Sequence, residues 1–571
     1  MPLRSIVRCS WVAVALALSA CNGGGNVGGN SGGGATSPPI VVVNPTFTVG
    51  GTLNGLLPST SIVLQNNGAN NLTLNANGSF TFPTPLASGS AYAVTVVTQP
   101  ANQNCSLTNA VGTVSTNVFN VVVTCQAGPV LFFFGATDGI RGTELWKTDG
   151  TDLGTLLVSD IQVGAGSSVR SSDNIDVVFN GPTYFPANDG LSGNELWRTD
   201  GTLFGTRLVK DIASANDSFP SELTVFNGLL YFNANDRVNG IEVWVSDGTD
   251  SGTRMLKDIN PGRGNSEAEG GFTQLNGELF FIASDGDSNI TGNEHGFELW
   301  KTDGTVTALV KDIRPGVGAS TGPQHIVRFN GALYFAATDG VNGSELWKSD
   351  GLGTGTLLLK DISPGVAGSA PSGFTEVGGA LYFAANDGSN GSELWKTSGT
   401  DVGTVLVKDI NPARLPIGSS VPQGMVALNG ALYFSADDGV NGRELWKSDG
   451  TTAGTVMLKD INPNSGASNP SDLSVFNGAI YFRATDGQHG AELWKSDGTA
   501  QGTVLLKDID TSVVPVVASS NPTAFRIVAG SLLFQATTIA NGTELWKTDG
   551  TEAGTVLFKD ICPLTCSGTG N

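Results

Sequence analysis

The chain has 571 residues, of which 78 are glycine and only 14% are charged. Long stretches of helical period are absent, and this composition is typical of an all-β protein with many turns. Asp and Glu number 51 against 30 Lys and Arg, so the formal net charge is −21. A surface of this sign repels phosphate backbones, and we therefore predict no nucleic-acid partner.

Residues 1–20 have the three parts of a secretory signal, with Arg4 and Arg8 before the apolar run WVAVALAL and small residues after it. The run is too short to span a bilayer. Leu18-Ser19-Ala20-Cys21 resembles the lipobox of bacterial lipoproteins, which implies cleavage before Cys21 and acylation of that cysteine. The alternative is an ordinary signal peptide with a chance cysteine.

Residues 21–38 are rich in Gly, Asn and Ser, a composition that behaves as a flexible tether. Asn22 follows the cysteine where an Asp would mark inner-membrane retention in lipoproteins. The resemblance therefore implies a lipid-anchored protein of the bacterial outer membrane or cell surface, facing the periplasm or the exterior.

The cysteines after the leader form two local pairs, Cys105 with Cys125 and Cys562 with Cys566. An even count in an exported chain predicts disulfides. Metal binding is the weaker alternative, because no His or further Cys lies nearby in sequence to complete a tetrahedral set.

Residues 39–127 contain short alternating runs separated by Gly, Asn and Pro, such as TFTVGGTL, NLTLNANGSFTF and VFNVVVTC. This spacing predicts a β-sandwich, with Asn77-Gly78 as a tight hairpin turn. A disulfide between Cys105 and Cys125 would join its last strands. The segment resembles the immunoglobulin-like spacer modules of bacterial surface proteins, which implies that it lifts the following region off the membrane.

Residues 128–571 repeat a unit marked by Glu-Leu-Trp or a close variant every 47 to 56 residues. The nine marker tryptophans are Trp146, Trp197, Trp244, Trp300, Trp347, Trp395, Trp446, Trp494 and Trp546.

Each unit holds four strand-like runs, with Asn330-Gly331 as a typical hairpin turn. The runs ALYFAA and TLLLKDI are apolar at consecutive positions, so both faces of each sheet must be covered. We predict a β-propeller of eight or nine four-stranded blades. We also expect the ring to close by placing the N-terminal strand in the same blade as the C-terminal pair. A β-solenoid fits less well, because hairpin turns require antiparallel neighbours.

The unit resembles the ELWxxDGT repeat family of exported bacterial proteins, also likened to hyalin-type repeats. ELWKTDGT at residues 144–151 and 544–551 matches the motif throughout. Val243, Leu352, Ser398 and an insertion at residues 285–297 depart from it. The resemblance implies a fold and an exported location and no particular reaction.

The repeated residues have a structural and a functional interpretation. We expect each Trp to fill the space between blades with its indole N–H on a backbone carbonyl. The Lys of ELWK and the Lys-Asp of KDI are predicted to pair across their hairpin. Acidic residues on Gly turns either form the turns or bind Ca²⁺, the one cofactor that the pattern permits. The candidate calcium ligands are Asp339, Glu345, Asp350, Asp438, Glu444 and Asp449.

No catalytic residues are predicted, because the three histidines, His295, His325 and His489, stand in contexts that differ in sequence and no catalytic motif occurs. Asp285, Asp287, Glu294 and His295 in the irregular fourth unit would be the first place to search for a carboxylate pair. The sequence therefore predicts a lipid-anchored binding or adhesion scaffold that recognises a protein or glycan through propeller loops. The alternatives are a glycosidase-like secreted hydrolase on a propeller frame and a purely structural surface spacer.

Overall fold

The computed structural model describes residues 44–57, 60–98, 100, 103–127, 131–170, 175–266, 271–286, 295–315, 323–413, 418–463, 465–512 and 518–563. The predicted leader, Cys21 and the tether lie outside these residues, as do Cys566, Asp287 and Glu294. The described chain is all-β, with one short 3-10 turn at Gly353–Gly355. None of its helices is long and apolar enough to cross a membrane.

The N-terminal module has ten strands. They are β1 Thr46–Phe47, β2 Val49–Asn54, β3 Ile62–Asn66, β4 Ala69–Leu74, β5 Gly78–Thr81, β6 Leu86–Ala87, β7 Ala91–Thr98, β8 Gln103–Thr108, β9 Val111–Thr113 and β10 Val118–Ala127.

Two four-stranded sheets, β5-β2-β10-β8 and β4-β3-β7-β9, pack around one apolar core, as the alternating sequence predicts for a sandwich. The prediction of a hairpin at Asn77-Gly78 is wrong, because β4 and β5 on either side of it belong to different sheets. The tight turn lies at Asn67-Gly68, where both residues have positive φ. The side chain of Asn77 instead bonds the backbone of Leu56 through both its amide atoms.

The predicted disulfide between Cys105 and Cys125 is confirmed. The two residues are direct partners on the antiparallel strands β8 and β10, so the bond joins neighbours within one sheet. Cys562 is buried and also disulfide-bonded, while Cys566 lies outside the described residues.

Nine further sheets follow in chain order. Sheet 1 contains β11 Phe132–Ala136, β12 Glu144–Thr148 and β13 Leu156–Ser159; sheet 2, β14 Val177–Val178, β15 Thr183–Asn188, β16 Asn194–Thr199 and β17 Arg207–Lys210; sheet 3, β18 Ser221–Phe226, β19 Leu229–Asn235, β20 Ile241–Ser246 and β21 Arg254–Lys257. Sheet 4 contains β22 Thr273–Leu275, β23 Glu278–Ser284, β24 Phe297–Thr302 and β25 Thr307–Lys311; sheet 5, β26 Gln324–Phe329, β27 Ala332–Thr338, β28 Ser344–Ser349 and β29 Leu357–Lys360; sheet 6, β30 Ser372–Val377, β31 Ala380–Asn386, β32 Ser392–Thr397 and β33 Val405–Lys408. Sheet 7 contains β34 Gln423–Leu428, β35 Ala431–Asp437, β36 Arg443–Ser448 and β37 Val456–Lys459; sheet 8, β38 Ser471–Phe476, β39 Ala479–Thr485, β40 Ala491–Ser496 and β41 Val504–Lys507; sheet 9, β42 Thr523–Val528, β43 Ser531–Thr538, β44 Gly542–Thr548 and β45 Val556–Lys559.

Sheets 2 to 9 each have four antiparallel strands in chain order, which we name A, B, C and D. Sheet 1 has only the equivalents of B, C and D. The A strands of several successive sheets contact one another, so strand A is the innermost strand of this propeller-like array. The units with Val243, Leu352, Ser398 and the insertion form the same sheets as the regular units.

Buried apolar clusters join each sheet to the next. Every junction has one cluster, except that between sheets 3 and 4, which has two. A further cluster joins sheet 9 to sheet 1 through Leu533 and Phe558 on one side and Phe134 on the other. Lys559 of sheet 9 also lies 2.9 Å from the carboxylate of Asp152 of sheet 1. The first and last sheets therefore meet by packing, and the expectation of a shared blade is wrong because each keeps its own strands.

The lysines of ELWK cross to the following sheet, so the prediction that they pair with the Asp of their own hairpin is wrong. Lys396 Nζ, for example, donates to the carbonyl oxygen of Gly450 at 2.8 Å. The equivalent bonds join Lys147 to Gly201, Lys301 to Gly351, Lys348 to Gly399, Lys447 to Gly498 and Lys495 to Gly550. The lysines of KDI reach the same way, as in Lys408 to the Thr455 carbonyl at 2.7 Å. Each sheet is thus bonded to its successor by side chains as well as packed on it.

The contact between sheets 1 and 9 can be tested with Phe134→Ala. We expect a loss of about 3 kcal/mol in the free energy of unfolding, because Phe134 is buried between the two sheets. Phe335→Ala at the junction of sheets 4 and 5 is the matched control and should lose a similar amount. Urea unfolding of the two variants gives the comparison, and a near-neutral Phe134→Ala would show that the ends do not pack.

Candidate functional site on the upper face

The nine sheets share one orientation, which gives the array two different faces. Because successive strands are antiparallel, the A–B and C–D turns lie at one end of each sheet, which we call the lower face. The B–C loops and the D–A connections lie at the other end, the upper face. The lower face is regular, since C–D turns have one length in all sheets except sheet 4. The upper face varies, as the connections from Lys210 to Ser221 and from Lys507 to Thr523 illustrate.

The Glu of each ELW motif is buried at the start of strand C. Glu345 is 0% exposed, and its carboxylate accepts hydrogen bonds from the backbone N–H of Ile362 at 2.8 Å and of Ser363 at 3.1 Å. The Ser369 hydroxyl donates to the same group. These donors all belong to the D–A connection, so the carboxylate holds that connection on its own sheet. Equivalent bonds to the Ile of KDI are made by Glu144, Glu195, Glu242, Glu298, Glu393, Glu444, Glu492 and Glu544.

Burial changes the protonation of these carboxyl groups. It raises the pKa of Glu242, Glu298 and Glu492 to about 7, although hydrogen bonds from the D–A connection act in the opposite direction. The Asp of the following KDI raises the pKa of Glu242 further by repulsion. These three glutamates therefore titrate near neutral pH.

The marker tryptophans pack between sheets, as expected. Trp347 lies in the cluster between sheets 4 and 5, while its neighbour Leu346 faces the cluster between sheets 5 and 6. The prediction that the indole N–H donates a hydrogen bond is wrong for seven of the nine tryptophans. Their buried Nε1 atoms have no partner within the described chain. Three of the rings are instead approached by a lysine of the preceding sheet, as in Lys257 Nζ 5.0 Å from the centre of Trp300.

The six candidate calcium ligands are not brought together. In sheet 5, Glu345 stands at the upper end of strand C and Asp350 follows its lower end, so the strand separates them. Asp339 lies on the upper face, where its carboxylate accepts bonds from the N–H groups of Val341 and Asn342. Asp438, Glu444 and Asp449 repeat this arrangement in sheet 7.

The Asp residues of the C–D turns use their carboxylates within the turn. Asp449 accepts the hydroxyl and N–H of Thr451, which lower the pKa of that carboxyl below its usual range. Within the described ranges no group of three or more His, Cys, Asp or Glu side chains could hold a metal ion. Calcium binding at single turns stays a prediction.

Two of the three histidines occupy equivalent positions on the upper face, although their sequence contexts differ. His295 Nδ1 lies 2.7 Å from Asp285, and His489 Nδ1 lies 2.7 Å from Asp486. In sheets 3, 5, 6 and 7 an Asn side chain makes the same bond to the Asp of the turn. The histidines thus replace a structural donor, and the insertion in the fourth unit hid this equivalence from sequence comparison.

The A strands carry a feature that the sequence did not reveal. In sheets 3 and 5 to 9 their pairing with strand B is interrupted by a bulge near the upper end. The second residue of each bulged strand has a positive φ. These residues are Glu222, His325, Gly373, Gly424, Asp472 and Ala524. Glycine in two of the six repeats was the only available signal.

Comparisons with known proteins identify no family. No family model matches the chain, and a search of curated proteins found no match. Among solved structures, a puromycin hydrolase is 13% identical with a TM-score of 0.33, over 59% of this chain and 53% of that one. A puromycin-hydrolyzing peptidase of Mycobacterium tuberculosis is 12% identical with a TM-score of 0.32, over 61% and 54%. The chain thus spans about half the length of these structures, and the similarity is too low to assign an activity.

The role of the buried glutamates can be tested with Glu345→Ala. The change leaves two backbone N–H groups and the Ser369 hydroxyl without their acceptor, so we expect a loss of about 3 kcal/mol in the free energy of unfolding. Glu376→Ala, on an exposed position of sheet 6, should change it by less than about 0.5 kcal/mol. Equal effects of the two variants in urea unfolding would contradict the structural role.

Stability should fall as the pH rises from about 5 to about 8. The native pKa of Glu242, Glu298 and Glu492 is about 7 against an ordinary 4.5, so these groups stabilise the native state at low pH and lose that contribution as the pH rises through about 7. The bonds from Asp285 and Asp486 raise the pKa of His295 and His489, which acts in the same direction. Denaturant midpoints across this range provide the measurement. Glu298→Gln with Glu492→Gln should flatten the profile.

Chelation tests the calcium prediction. Because the turn carboxylates already accept backbone N–H groups, we expect that a chelator leaves the melting temperature unchanged. Native mass spectrometry of the same samples reports the bound metal. Loss of several calcium masses together with a lower melting temperature would instead make the acidic turns a metal system.

Proposed function

We propose that this protein is a lipid-anchored binding scaffold of the bacterial cell envelope whose nine repeat sheets are the blades of a closed β-propeller. The packing of sheet 9 on sheet 1 supports a closed ring. The proposed ligand is a protein or a glycan bound on the upper face. Acylation of Cys21 would tether the array to the membrane, with the sandwich module as a spacer.

The observation that carries this proposal is the contrast between the two faces. Turns on the lower face are nearly the same in every sheet, whereas the D–A connections and the residues at the bulges of the upper face change from sheet to sheet. A residue that recurs in all units is explained by its role in packing. Residues that differ between units, on a framework that stays the same, are available to recognise a ligand.

The bulges add a second argument. Glu222, His325 and Asp472 are exposed and have φ between 55° and 58°, a backbone conformation that is unfavourable for residues other than glycine. Glycine at the same position in sheets 6 and 7 shows that the fold itself does not need these side chains. Strained and exposed polar residues at the inner end of the upper face are typical of a binding site.

The described residues do not support the hydrolase alternative. Each His–Asp pair on the upper face takes the place of an Asn–Asp pair in other sheets, which explains it structurally. No hydrogen bond joins the second ring nitrogen of His295 or His489 to a Ser or Cys within the described chain. Within those residues, neither histidine is therefore paired with a nucleophile that it could activate.

Binding can be tested on the full-length protein in detergent micelles with panels of envelope polysaccharides and surface-protein fractions. The variant Glu222→Gln with Asp472→Asn removes two charges from the upper face without changing side-chain shape. Leu153→Ser with Glu552→Gln alters exposed C–D turns of the lower face and is the matched control. We expect that the upper-face variant changes the affinity for a bound ligand by about tenfold and that the control does not.

Absence of any retained ligand, or equal weakening by both variants, would reject the scaffold proposal. The anchor is tested separately with Cys21→Ser. That variant should move the protein from the membrane fraction to the soluble fraction, and the mass of the wild-type N-terminal peptide should include acyl chains.

A further inference from the structure

Arg237 stands where seven of the other eight repeats have glycine. The B–C loops begin with Asp-Gly in seven sheets, and those glycines have φ between 76° and 123°. In sheet 3 the pair is Asp236-Arg237, and Arg237 has a φ of 64°. A side chain in this region is strained relative to glycine. An arginine therefore occupies a position at which glycine would relieve backbone strain.

Packing does not explain this choice, because Arg237 is exposed. Its Nη2 donates to the carbonyl oxygen of Asp217 at 2.7 Å, and its guanidinium lies 5.8 Å from the centre of the Phe219 ring. Phe219 is 46% exposed and also has a positive φ, of 49°. Sheets 6 to 9 have Ala370, Val421, Asn469 and Asn521 at the equivalent place. Two residues with an unfavourable backbone conformation thus contact each other through their side chains on the upper face of one sheet.

A depression lies beside them, lined by Asn235, Arg237, Gly240, Arg263 and Asn265. A Cβ at Gly240 would lie 2.0 Å from the carbonyl oxygen of Gly264, so glycine lets the B–C loop and the D–A connection meet beneath it. The Oδ1 atom of Asn235 accepts the N–H of Arg237 at 2.7 Å. Because the oxygen of Asn235 is used in this bond, its amide nitrogen is the atom that would donate to a ligand.

Two arginines, Arg237 and Arg263, line the depression in a protein of net charge −21. Within the described residues no salt bridge joins Arg237 or Arg263 to a carboxylate. The nearest acidic side chain on the same loop, Asp236, is engaged by the N–H groups of Val238 and Asn239 and by the Asn239 amide. Two guanidinium groups and the Asn235 amide around one small depression match a single oxyanion.

We propose that this depression binds the carboxylate or sulfate group of an acidic glycan. The proposal rests on the binding function assigned above to the upper face and names its ligand class. A depression with five lining residues accommodates one charged group. The Asn235 amide suits a sugar hydroxyl, and the exposed Phe219 ring offers an apolar surface to the C–H groups of an adjacent sugar.

Calorimetric titration of the full-length protein in detergent micelles tests this proposal with three oligosaccharides of equal length. One is a uronate oligomer, one is sulfated and one is neutral. We expect that the wild type binds at least one acidic oligomer and not the neutral one. The comparison of the two acidic oligomers tells which anion is preferred, and affinity should fall as salt rises.

Arg237→Gly and Arg263→Gln should each weaken the acidic oligomer by about tenfold. Arg254→Gln, at an exposed arginine on strand D of the same sheet, is the matched control and should bind like the wild type. Arg237→Gly should also raise the melting temperature, since it restores the glycine of the other turns. A loss of binding together with a gain of stability cannot come from misfolding.

The inference is overturned if the wild type binds neither acidic oligomer, or if it binds one with the same affinity in Arg237→Gly and Arg263→Gln. The broader scaffold function is tested by a different measurement in both cases. That measurement is the change in affinity for any other ligand caused by Glu222→Gln with Asp472→Asn. The two proposals can therefore fail independently.

Discussion

The architecture depends on one buried carboxylate in each repeat. A glutamate without exposure to solvent is costly unless its oxygens are hydrogen-bonded, and each of these accepts the N–H of the isoleucine that ends the KDI segment. The connection leaving strand D has no regular secondary structure to satisfy its own N–H groups. The glutamate supplies the acceptor, and so it fixes the point from which the chain crosses to the next sheet.

That fixed starting point explains why connections of different length still deliver strand A to the same place. In six of the repeats a buried Ser at the far end of the connection donates its hydroxyl to the same glutamate, as Ser369 and Ser468 do. The two ends of the connection therefore meet on one carboxylate. Connections of different length are therefore accommodated without a change in the sheets.

Much of this fold was predictable because the repeat makes local patterns unambiguous. The turn at Asn330-Gly331 and the pairing of strands C and D follow from residue types at fixed spacing. Hydrogen bonds between sheets were not predictable, because they join residues about fifty positions apart and their acceptors are backbone atoms. The Lys396 ammonium bonds a carbonyl oxygen of the next sheet, and a carbonyl has no signature in the sequence. The manner of closure was missed for the same reason.

The candidate site was hidden from sequence for a different physical reason. A bulge or a positive φ is a property of the backbone, and sequence indicates it only where glycine occurs. Arg237 is informative because seven other repeats supply the comparison within the same chain, with glycine at the same turn and the same φ sign. An unfavourable backbone conformation that recurs with glycine belongs to the architecture. In sheet 3 an exposed arginine has this conformation; its bond to the Asp217 carbonyl oxygen and its contact with the Phe219 ring hold the guanidinium on the upper face, and recognition of a ligand accounts for both its strain and its exposure.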